Sequence, residues 1–124
     1  MAEPILLAYN LDAGTASRLK ALCQRQQIRY RPVTALEYGV PIGALAGIPV
    51  RARAAAAPVS GFSEPMLVMC HMLSPQLDAF LQGMRADGIP RIALKAVLTP
   101  ANVSWDSRQL RDELTREHEA VQKR

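Results

Sequence analysis

Ile89-Pro90-Arg91-Ile92-Ala93-Leu94-Lys95-Ala96-Val97-Leu98-Thr99-Pro100-Ala101-Asn102-Val103-Ser104-Trp105 is the stretch whose reading decides the fold. Gly88, Ile89 and Pro90 open it as a stop signal, because glycine takes the left-handed conformation that ends a helix and proline cannot continue one. Ile92 to Leu98 is apolar except for Lys95, so it reads as a buried strand. Thr99-Pro100 closes that strand, since proline brings no backbone donor. Asn102 and Trp105 lie in a short loop, and Asp106 with Gln109 has the spacing of a capping box for a last helix, Ser107 to about Gln122. Helix stop, buried strand, turn and helix start follow one another without a spacer.

Working outward, the same alternation recurs. Pro65 to Cys70 is another continuous apolar strand, and Ser74-Pro75 reads as a serine N-cap followed by proline at the first helical position. Leu77, Phe80, Leu81 and Met84 then fall on one helical stripe. Near the start, Pro4 to Tyr9 is a third apolar strand, with Asp12 as N-cap of a helix carrying Ala16, Leu19, Leu22 and Cys23 to about Gln27. Ile28 to Val33 differs in kind: Arg29 and Arg31 alternate with Tyr30, and Pro32 lacks a donor, which places this strand at a sheet edge. Leu36, Ile42 and Leu45 suggest a short helix ended by Gly47, and residues 49 to 63 form an Ala/Arg-rich loop expected to be poorly ordered.

Sliding Pro4 onto Pro65, an offset of 61, lays strand on strand, helix on helix and Ile28 on Ile89. A small insertion raises the offset to 65 and lays Thr34 on Thr99 and Leu45 on Leu110. The chain therefore reads as a single α/β domain built from two strand-helix-strand-helix units. Two folds fit: a four-stranded, mainly parallel sheet with helices on both faces, or a ferredoxin-like α+β sandwich with helices on one face. A strand with one wet face alternates, and three of these strands do not, which favours helices on both faces.

A chain of 124 residues, 49% hydrophobic and 21% charged, has the profile of a soluble globular domain with a real core. No apolar run is long enough for a membrane helix, and no membrane association is expected. Met1 to Pro4 lacks the basic and apolar regions of a secretory signal, and Cys23 and Cys70 sit in apolar patterns that suit reduced thiols. The cytoplasm is the expected compartment. From Arg18 to Arg53 seven basic residues meet one acid, Glu37. Aromatic interleaving is sparse, so this reads as a solvated basic face more than as a nucleic-acid surface.

If the strands run alike, their carboxyl ends gather Asn10, Thr34, His71 and Thr99, with Lys95 behind them, and ligands bind beyond such ends. Lys95, Thr99, Asn102, Trp105, Asn10 and His71 are the candidate binding set; the competing reading makes the short polar ones turn formers. Lys95 is the sharpest oddity, as an anion anchor or as a stem that snorkels to water. Cys70 and His71 are neighbours in a strand and point to opposite faces, so they are not a catalytic pair. His71, His118 and the two cysteines make no convincing metal set, and no phosphate-binding or dinucleotide fingerprint is present. No catalytic residue, metal or cofactor is assigned.

Met66-Leu-Val-Met69, Gly88 through Asn102, Trp105 and the closing Leu-x-x-Glu-Leu-x-x-Glu-His118 helix resemble the bacterial family called domain of unknown function 3783. The motif Lys95-Ala-Val-Leu-Thr-Pro-x-Asn-x-x-Trp105 carries most of that likeness. The resemblance implies no assigned activity, and residues 49 to 61 look longer than the family's usual middle. Three functions are carried forward. The first is a non-enzymatic protein-interaction or regulatory module, as a homo-oligomer or with a protein partner. The second is a small-molecule or anion-binding domain, and the third weak nucleic-acid binding.

Overall fold

In the computed structural model, which describes residues 3–48 and 61–122, the secondary structure follows the apolar pattern closely. The order is β1 (Ile5–Tyr9), α1 (Ala13–Arg25), β2 (Arg29–Pro32), a 3-10 turn (Ala35–Glu37), α2 (Ile42–Leu45), β3 (Met66–Cys70), α3 (Ser74–Ala86), β4 (Leu94–Val97) and α4 (Ser107–Gln122). The sheet order is β2-β1-β3-β4. β1 runs parallel to β2 and β3 parallel to β4, while the central pair β1 and β3 is antiparallel. The sheet is thus mainly parallel by pairing, with β2 at one edge as its arginines and proline require.

Two cores lie on opposite faces of this sheet. Leu6, Ala8, Leu67 and Met69 pack with Leu19, Leu22 and Cys23 of α1 and with Phe80 and Met84 of α3. Ile5, Leu7, Tyr9, Met66, Val68 and Cys70 pack with Ile42 and Leu45 of α2 and Leu110 of α4. Both faces of β1 and β3 are covered, which is why those strands are apolar at every position.

The repeat read from the sequence is a pseudo-dyad. Leu7 pairs with Val68 at the centre, and Ile5↔Cys70 and Tyr9↔Met66 lie symmetrically about it. Backbone bonds repeat at the same offsets: Ile28 N–H to the Cys23 carbonyl (2.8 Å) matches Ile89 to Met84 (3.0 Å), and Val33 to Ala8 (2.9 Å) matches Leu98 to Met69 (2.9 Å). Even the left-handed residues recur in pairs, Asn10 (φ 56°) with His71 (φ 61°) and Gln27 (φ 59°) with Gly88 (φ 67°). Where the two units touch, Gly83 of α3 faces its own counterpart, Leu22 of α1. A Cβ at Gly83 would stand 2.6 Å from Leu22 Cδ1, so a larger residue there would require the Leu22 side chain to shift.

The dyad overturns one expectation. A dyad-related pair of units must run in opposite directions at its centre, so the carboxyl ends of β1 and β2 lie at one end of the sheet and those of β3 and β4 at the other. A second correction is local. Ser74 is the first residue of α3 and not its cap; Leu73 holds the cap position in extended conformation, its carbonyl accepting from Leu77 N–H (2.9 Å). The other caps form as read: Asp12 accepts from Thr15 N–H (3.0 Å), and Asp106 from Gln109 N–H (2.8 Å). Of the expected loop at 49–63, residues 49–60 lie outside the described residues, while Phe62 stacks on Tyr38 with ring centroids 4.5 Å apart. Among the described residues no helix is long and apolar enough to cross a membrane.

Candidate functional site

Because the centre of the sheet is antiparallel, the six residues singled out in the sequence divide into three groups. Asn10 stands at the carboxyl end of β1, beside the chain entering β3. Its amide donates to the carbonyls of Phe62 (2.8 Å) and Glu64 (3.1 Å), and its oxygen accepts from the Tyr38 hydroxyl (3.1 Å). All of its short-range capacity goes into clamping that entry.

His71 and Thr99 leave the sheet at the opposite end. The Nε2 of His71 bonds the Ala46 carbonyl (3.0 Å), which places the proton on Nε2 and ties the end of β3 to the end of α2. Thr99 N–H donates to Asn102 Oδ1 (2.9 Å), and Asn102 Nδ2 donates to the Val97 carbonyl (3.1 Å). Asn102 is 8% exposed, so these bonds form largely out of water. The loop then serves α2: the carbonyl of Trp105 accepts from Ile42 N–H (2.8 Å) and that of Val103 from Gly43 N–H (2.9 Å). The Trp105 ring packs against the core under α2 and α4. Thr99, Asn102 and Trp105 are therefore a structural unit that ends one strand and begins a helix.

Lys95 alone of the six is not absorbed. It pairs in register with Leu67, so its side chain lies on the α1/α3 face. There it joins Leu81, Met84 and Arg85 of α3 and Ile89, Pro90 and Arg91 of the following turn around a cleft of about 450 Å³. Arg85 and Arg91 were not anticipated. They come together only because α3 ends where β4 begins, and the lone signal in the sequence was a lysine inside an apolar strand.

The remaining reactive groups are committed. Burial pushes both the Cys23 and the Cys70 thiol up to about 12, and the two sit in different cores. The fully buried Ser107 hydroxyl bonds Tyr9 Oη (2.7 Å), and burial pushes that phenol up as well. Among the described residues no three His, Cys, Asp or Glu side chains converge as a metal site. Four basic residues of the first half find separate partners: Arg18 donates to the Gly88 carbonyl, Arg25 pairs with Asp87, Arg31 with Glu37, and Lys20 lies over the Tyr30 ring at 5.7 Å. Arg51 and Arg53 lie outside the described residues.

Residues 65–121 match the model of a family described as Domain of unknown function (DUF3783), which bears out the resemblance over β3, α3, β4 and α4. No curated protein and no solved structure matches the chain.

Proposed function

From a chain whose residues 65–121 match the model of the DUF3783 family, we propose a non-enzymatic interaction domain that receives an extended segment of another polypeptide along the outer edge of β4. The supporting observation is an asymmetry between the two sheet edges. Leu98 N–H turns inward to Met69, so by alternation Lys95 and Val97 direct their N–H groups outward. On β2, Arg29 and Val33 turn inward to β1, and the outward positions are Tyr30 and Pro32. Pro32 is the dyad counterpart of Val97. One edge is blunted by a missing donor, and the other keeps both of its donors. Strand addition needs such a row, with main-chain bonds supplying affinity. Arg91 and Lys95 beside β4 favour an acidic segment over a second copy of the same basic edge.

The dyad supplies the test. Val97→Pro copies into β4 the residue that β2 already carries, so the fold should persist. Peptides selected from a random display library on the wild-type protein are expected to bind the Val97→Pro variant at least tenfold more weakly. Peptides that bind both proteins equally, or a selection that never rises above background, would refute strand addition at this edge.

A further inference from the structure

We infer that the α3–β4 cleft is a binding site for a small organic anion whose charged head is carried on a short apolar body. The ground for it is a comparison within the molecule. Each unit has a cleft between its helix and its outer strand on the same face of the sheet. The two share the equivalent positions Lys20/Leu81 and Tyr30/Lys95; otherwise one lies toward the carboxyl ends of β1 and β2 and the other toward the carboxyl end of α3. In the first unit α1 contributes Lys20 and β2 contributes Tyr30, and the ammonium rests 5.7 Å from the ring centroid. That cation has a partner.

In the second unit the roles are exchanged. Leu81 stands at the counterpart of Lys20, and Lys95 at the counterpart of Tyr30, since Leu6↔Tyr30 in one register matches Leu67↔Lys95 in the other. A leucine gives an ammonium no quadrupole to rest on. Two arginines, Arg85 and Arg91, line the same cleft, whose volume of about 450 Å³ is in the range of small-molecule sites. None of the three cations has a hydrogen-bond or ion-pair partner among the described residues. The acid on the same turn, Asp87, is engaged by Arg25. Met84 and Ile89, both buried, give the cleft an apolar floor with Leu81 and Pro90 beside them.

Three cationic residues around one cleft with an apolar floor present positive charge to an anion that enters it. Guanidinium forks suit a carboxylate or a phosphate, and the floor suits a few methylene groups. The ligand class is thus a short alkyl or aryl carboxylate or phosphate monoester. This site uses side chains and not the strand edge, so Val97→Pro is expected to leave it intact and the two readings fail separately.

Titration calorimetry with hexyl phosphate and with hexanoate tests it, using hexanol and inorganic phosphate as the separated halves. The expected result is saturable one-to-one binding of at least one of the two anions, weakened at least tenfold by Lys95→Met and by Arg91→Ala. Hexanol and inorganic phosphate should each bind at least tenfold more weakly than that anion, and Lys20→Met, in the first unit's cleft, should change nothing. Absence of saturable binding by both anions, equal binding by Lys95→Met, equal loss in Lys20→Met, or inorganic phosphate binding as tightly as the best anion would each overturn the assignment.

Discussion

Asn102 and Lys95 stand in the same short motif, yet their side chains have opposite fates. Asn102 is buried and spends its oxygen on Thr99 N–H and its amide on the Val97 carbonyl. Truncating it leaves partly buried backbone groups without partners, which costs about 1 kcal/mol. Asn102→Ala is therefore expected to lower stability by that amount in urea unfolding, with no change in the slope of the transition. Both the turn chemistry and the oddness of Lys95 were legible in the sequence, because Thr-Pro-x-Asn is a local signal and a charge in an apolar strand is conspicuous. Arg85 and Arg91 were not legible. Neither breaks a local pattern, and only the return of the chain from α3 into β4 brings them to Lys95.

At the scale of elements, the two units solve the same turn with different residues. Gly88 ends α3 in the left-handed conformation at φ 67°, while Gln27 holds the equivalent place after α1 at φ 59°. A residue with a Cβ pays roughly 1 kcal/mol or more for that conformation, and glycine does not. Gln27→Gly is expected to raise stability by up to about 1 kcal/mol, and Gly88→Ala to lower it by about 1 kcal/mol, since nothing crowds a Cβ there beyond Arg18 Nη1 at 3.9 Å. Thermal unfolding of the two variants in opposite directions checks the pair; movement in the same direction would show that backbone conformation is not what limits these turns. The elements themselves were readable from apolar spacing, glycine and proline. The cap of α3 was misplaced by one residue, because Ser74-Pro75 satisfies the sequence rule while Leu73 supplies the carbonyl that starts the helix.

At the scale of the molecule, Arg111 of α4 ties the last helix to the chain entering β3. It bonds Asp112 Oδ1 (2.6 Å) and Glu64 Oε2 (2.6 Å), and those bonds hold both carboxyl groups below their ordinary range. A carboxyl group depressed in the folded state stabilises the fold above its unfolded pKa, near about 4, and that contribution disappears as pH falls through the folded value. The pairs are substantially exposed, so the effect is modest. The melting temperature is expected to fall between pH 7 and pH 3, and to fall less in Arg111→Met. An equal fall in the variant would place the acid sensitivity elsewhere.

The sequence by itself determined the strands and helices, the two-unit repeat, the covering of both sheet faces and the blunted edge at β2, because each rests on which neighbours along the chain are apolar or lack a donor. Only the tertiary structure decided how the units meet. Strand direction between β1 and β3 is fixed only where the two units pair, and an apolar strand reads the same in either direction. That one long-range choice sent Asn10 away from His71 and Thr99 and left Lys95 to find its company in the arginines of its own unit.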